Sequence, residues 1–193
     1  MFSDLISSIN WIDLLIIGFG IRIIYIGIKN GFAAELFKLA GVLCAIFVTF
    51  HYYSGLARLL HSYISVSESL LVVLCYGVLL TLVLLLFKLM REGAMALFKV
   101  QAHPLLDQWG GFVISLVRSL LVGSLVLVSL QIIPIDYLQK NGKKSFFHPY
   151  LFDLSLKFYE GCYKGVVSKF FPNERLNPAV FKPKGEKTSE VPE

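Results

Sequence analysis

The sequence predicts an all-α membrane protein with four transmembrane helices and a C-terminal amphipathic helix. Three observations carry that prediction. Hydrophobic residues make up 56% of the 193 positions and mean hydropathy is +0.70, whereas soluble domains hold about 45–50% apolar residues. Those residues gather into runs close to the roughly 20 that a helix needs to cross hydrocarbon. None of the runs alternates with a two-residue period, so each must satisfy its backbone hydrogen bonds internally, as a helix rather than a barrel strand.

The first span is expected over 11–28, opening at Trp11 and Asp13 and interrupted by Arg22. No basic segment and no A-x-A site accompany it, and Asp4 stands where a leader peptide carries positive charge, so the run is read as a retained helix. Lys29-Asn30-Gly31 reads as a tight turn. The second span covers 32–53, with Glu35 and Lys38 in its first turns. The third, 69–89, carries no charge over 70–87 and ends at Lys88 and Arg91. The fourth, 109–133, contains Arg118, is preceded by His103-Pro104 and is stopped by Pro134. Residues 1–138 thus form one membrane domain.

Beyond it, 139–171 reads as an amphipathic interfacial segment. Leu151, Leu154, Phe158, Cys162, Val166 and Phe170 recur at helical spacing, while Asp153, Lys157, Glu160 and Lys164 fall on other faces. The same pattern suits a helix packed on the bundle's own loops. Gly161 and Gly165 weaken either helix. Residues 172–193, rich in Pro, Lys and Glu, are expected to be disordered.

The net charge of +5 sits mainly in loops and the C-terminal third, which suits anionic headgroups of the lipid bilayer and not nucleic acid. Lysines and arginines near the helix ends balance on the two sides. The unbasic start of the first span, followed by Lys29, tips the orientation toward both termini outside the cytoplasm. Cys44, Cys75 and Cys162 are far apart and match no metal, haem or disulfide spacing. The histidines are scattered, and no H-E-x-x-H, G-x-S-x-G or phosphate-cradling glycine loop occurs. Neither an enzyme nor a cofactor or metal is expected.

The polar candidates are the ionisable residues within spans: Asp13, Arg22, Glu35 and Arg118. At the helical rise, Arg22 and Glu35 lie about 10 Å and 6 Å from the first turn and Arg118 roughly 13 Å inside the fourth span, so either arginine could reach Glu35. Such a set serves either as a polar path for an ion or substrate, or as a buried ion pair that fixes helix register. The second is favoured, since no further carboxylate or histidine completes a proton relay. Lys38 is expected to stretch toward the interface, and Asp13 to cap the first helix. A second candidate is a helix-packing stripe, Gly111, Ser115, Ser119 and Gly123, with Asp107 near the same face. Gly41, Ala45 and Thr49 form a shorter one. Either stripe serves packing within the chain or between subunits.

Two of these motifs resemble the bacterial colicin V production proteins. The first runs Trp11-Ile12-Asp13, then Lys29-Asn30-Gly31-Phe32, Glu35 and Gly41; the second runs Leu106-Asp107, then Gly111, Ser115, Arg118 and Ser119. The likeness covers roughly 11–133. It departs where Ser115 and Ser119 replace glycines, where Asn30 stands for a frequent arginine, and in the basic C-terminal extension. The resemblance implies a non-enzymatic protein of the bacterial inner membrane. It would support production or export of a peptide toxin, or envelope homeostasis, through a homo-oligomer or an envelope or export partner. The alternative is a small oligomeric transporter or channel subunit with a polar intramembrane path.

Overall fold

The computed structural model of the chain describes residues 10–63, 66–97 and 104–167, together with 169, 177 and 180. Among them the regular secondary structure is all helical. In chain order the helices are α1 (Trp11–Tyr63), α2 (Glu68–Leu97), α3 (Pro104–Ile132), α4 (Asp136–Lys143) and α5 (His148–Cys162), followed by a π-helical turn, Tyr163–Val167. Three helices, α1, α2 and α3, are long and apolar enough to cross a membrane.

The first expected pair of spans therefore emerges as one 53-residue helical run, broken at Gly31, where φ is 79° and ψ is 173°. Only glycine adopts that backbone readily, and the chain direction changes there. Along the arm 11–30, Ile16 lies against Gly123 and Gly27 against Gly111 and Ser115, so this arm runs antiparallel to α3. Along the arm 32–63, Phe32 meets Asp107 and Glu35 meets Arg118. Farther on, Phe50 stacks on Tyr76, which bonds Ser129 at 3.0 Å. That arm runs parallel to α3. The two arms are thus antiparallel to each other, joined by a single non-helical residue instead of a loop. Helix α2 is antiparallel to the second arm, with Phe87 opposite Gly41 and Tyr76 opposite Phe50 and Tyr53.

Sequence periodicity explains the packing. Val42, Ala45, Ile46, Thr49, Phe50, Tyr53 and Ala57 recur at three- and four-residue steps and are buried, forming one stripe of the second arm. That stripe meets Tyr76, Leu121, Leu125 and Val128 in the main core. A smaller core joins Ile12 and Ile16 to Leu127 and Leu151. Outward, Leu14, Phe19, Ile21, Leu74, Leu82, Leu85 and Val113 are exposed. Such an apolar girdle is what a lipid-facing surface requires.

The region after Pro134 differs from expectation in three ways. It forms two helices and a turn instead of one amphipathic segment over 139–171. The buried face of α5 is Leu151, Ser155, Leu156 and Tyr159, while Leu154 is exposed and Phe158 and Cys162 are half-buried. The side chains of Val166 and Phe170 lie outside the described residues. Ser155 decides the face: its N–H donates to Ser124 Oγ at 2.9 Å, and the two hydroxyls lie 2.8 Å apart. Helix α5 is thereby held on α3 of its own bundle, so the packed alternative describes it better than a free interfacial helix. The expected disordered tail lies mostly outside the described residues, but Asn177 and Val180 are buried. Asn177 donates from Nδ2 to the Phe50 carbonyl at 2.7 Å and from its N–H to Tyr159 Oη at 3.2 Å.

Candidate functional site

Three polar clusters hold the bundle, and each uses a residue singled out from sequence. The deepest is built on Glu35, which is fully buried. Its carboxylate accepts from Lys38 Nζ at 2.5 Å, three positions on along the same arm, and pairs with Arg118 on α3 at 2.8 Å. A lone carboxylate in hydrocarbon would cost several kcal/mol, on the order of what breaking a buried pair costs. Two cations on one anion remove that cost and leave excess positive charge in the cluster.

Arg22 does not join it. Its side chain is exposed, and it forms no ion pair among the described residues. Of the two arginines that could reach Glu35, Arg118 does so and Arg22 does not: Arg22 is exposed, whereas Glu35 points toward α3. Lys38 likewise does not simply stretch to the interface, since Glu35 holds its amine.

The second cluster sits at the arm junction. Asp107 Oδ1 accepts the Phe32 N–H at 2.7 Å, capping the first turn of the second arm from another helix. A side chain at Gly31 would overlap that same carboxylate. Immediately beside it, Gly27 and Gly31 face Gly111 and Ser115, so close that a Cβ on Gly111 would lie 2.5 Å from the Gly27 carbonyl oxygen. The α3 stripe is thus an internal packing surface at Gly111, Ser115 and Gly123, while Ser119 is only half-buried and bonds its own helix at the Leu116 carbonyl. In the shorter stripe Phe87 of α2 covers Gly41, and Ala45 is buried.

The third cluster surrounds Asp13, also fully buried. The carboxylate accepts the Asn10 N–H at 2.8 Å, the Phe146 N–H at 3.2 Å, the Phe147 N–H at 3.4 Å and the Ser145 hydroxyl. It does cap its own helix, as expected, and in addition fixes the turn that launches α5. Next to that turn, burial pushes the His148 imidazole below its ordinary value of 6.5, with Lys143 adding to the effect and Asp153 opposing it.

Sequence reading missed Gly27, Ser145, Ser124 with Ser155, and Asn177. Gly27 had a signal: Gly27-x-x-x-Gly31 is a small-residue pair matching Gly111-x-x-x-Ser115. The others are isolated polar residues whose partners lie far along the chain. Also missed was a cavity of about 130 Å³ lined by Lys38, Gly41, Val42, Leu84, Phe87, Lys88, Arg91 and Arg118.

The two motifs that drew attention in the sequence, around Gly31-Glu35 and around Asp107-Arg118, thus form one interhelical unit inside an all-helical membrane protein. The chain belongs to the colicin V production protein family, which it matches over residues 12–155. The match includes α4 and α5 as far as Ser155, so the family pattern continues past Pro134 and ends before the C-terminal extension. No curated protein and no solved structure matches the chain.

Proposed function

We propose that this is a non-enzymatic, four-crossing protein of the bacterial inner membrane that supports toxin production or export, or envelope homeostasis, by docking a partner protein. Counting α1 as two crossings brings both termini to one face, read as the non-cytoplasmic one, with the Lys29, Lys88 and Arg91 end inside. The observation that carries the proposal is the contrast between Arg22 and the other intramembrane ions. Asp13, Glu35, Lys38 and Arg118 are consumed in holding helices together, whereas Arg22 lies exposed about 12 Å from Asn30 at helical rise. An arginine at such depth costs about 2.5–3.5 kcal/mol on insertion scales and is normally paired. The carboxylates of the four proposed crossings, Asp13 and Glu35, are both buried, so a second copy offers Arg22 no acid at that depth. A different membrane protein with an intramembrane carboxylate does.

The test is site-directed photocrosslinking from position 21 in intact cells. The proposal expects a discrete adduct with an export or envelope-maintenance component, lost in Arg22→Leu while the variant still inserts and melts like the parent. Unchanged crosslinking in Arg22→Leu overturns it. Ion or substrate flux in liposomes that depends on Glu35 and Arg118, without loss of folded protein, would favour the transporter reading instead.

A further inference from the structure

We infer that the cavity between the second arm of α1, α2 and α3 is a binding site for the phosphate-bearing headgroup of an anionic phospholipid. Four cations line it, Lys38, Lys88, Arg91 and Arg118. Only Glu35, shared by Lys38 and Arg118, opposes them at close range, and Arg91 has a loose 3.7 Å pairing with exposed Glu92. Lys88 forms no ion pair among the described residues. Arg118 is nearly buried, and its Nε–H has no acceptor. A buried guanidinium donor without an acceptor costs free energy that an oxyanion would recover.

The remaining wall is apolar: Val42, Leu84 and Phe87, with exposed Leu85 and Leu89 beside them on α2. The volume, about 130 Å³, far exceeds the roughly 10–15 Å³ that one water needs. Cations at one end and hydrocarbon at the other match an amphiphile better than a free ion. Lys88 and Arg91 close the uncharged stretch of α2, so the charged end faces the membrane surface. That is where headgroups reside, in the leaflet on the Gly31 side of the bundle.

This site is separate from the outer face of Arg22, so its test is independent of the partner reading. The purified chain is equilibrated in mixed micelles with phosphatidylglycerol or phosphatidylcholine, and retained lipid is read by native mass spectrometry. Preferential retention of phosphatidylglycerol is expected, falling about fivefold for each cation removed, and so roughly twenty-five-fold in Lys88→Gln with Arg91→Gln. These two positions lie outside the Glu35 cluster, and an unchanged melting temperature confirms the fold. Equal retention of the two lipids, or undiminished preference in the double variant, overturns the inference. So does displacement of phosphatidylglycerol by millimolar inorganic phosphate, which would make the ligand a free anion.

Discussion

Asp107 holds the amide of Phe32 at 2.7 Å across 75 positions of sequence, and the same carboxylate occupies the space a side chain at Gly31 would need. One residue therefore caps the second arm of α1 and enforces glycine at the reversal.

Loss of this cap is expected to cost about 0.5–2 kcal/mol in Asp107→Ala, with Asp107→Asn costing less because an acceptor remains. Gly31→Ala adds both a positive-φ penalty and the overlap with the carboxylate. Combined with Asp107→Ala it should therefore be less damaging than the sum of the two single changes. Thermal unfolding in detergent gives all three numbers.

Replacing Glu35 with Met leaves Arg118 and Lys38 without their counter-charge, and a loss of about 3–5 kcal/mol is expected. The double change Glu35→Met with Arg118→Met restores most of it, since the remaining Lys38 reaches the interface along its own stem. Membrane abundance and melting temperature read the rescue. A double variant as unstable as the single one would mean that the pair is more than a register lock.

Glycines of the first arm divide sharply. Gly27→Leu collides with Ser115 and Gly111 and should cost about 1–3 kcal/mol or more through overpacking. Gly20→Leu meets nothing within 4 Å and should leave stability unchanged or slightly raised. Equal effects at the two positions would contradict the antiparallel packing of this arm on α3.

The pH dependence follows from His148. Above its ordinary value of 6.5 the ring is neutral in folded and unfolded chains alike, and it contributes nothing. As pH falls through 6.5, the unfolded chain binds the proton first, because burial disfavours the charged ring in the fold. Stability therefore decreases on acidification below about pH 6.5. His148→Phe should flatten that part of the profile, measured as melting temperature against pH.

Asn177→Ala removes the Nδ2 donor to the Phe50 carbonyl and the Oδ1 acceptor of the Ser54 hydroxyl, while the backbone N–H to the Tyr159 hydroxyl remains. About 1–3 kcal/mol is expected from the buried groups left unpaired, together with faster proteolysis near that position.

Helix existence was legible because hydrocarbon demands long apolar runs: 69–89 lies within α2, and 109–133 lies within α3 except for its last residue. Their ends were not, since the helices continue past the apolar core: α1 reaches Tyr63 and α2 reaches Leu97. The interhelical unit was partly legible too. Glu35 and Arg118 announced themselves as rare ions, but choosing Arg118 over Arg22 required knowing which side of each helix faces inward. Hydropathy says little about that side when lipid and core are equally apolar. Ser155 was unreadable for a related reason: a serine on a buried face follows no hydrophobic period, and its partner Ser124 is 31 positions away.

The carboxylate of Asp13 has its hydroxyl donor 132 positions later, at Ser145. During synthesis at roughly 5–20 residues per second, the ribosome needs on the order of 7–26 seconds to deliver that donor. Until then the opening arm meets that acid only with its own Asn10 N–H. Maturation of the bundle is accordingly a closing step, gated by emergence of the 145–147 turn, and a stalled nascent chain ending short of it would be an early substrate for membrane quality control.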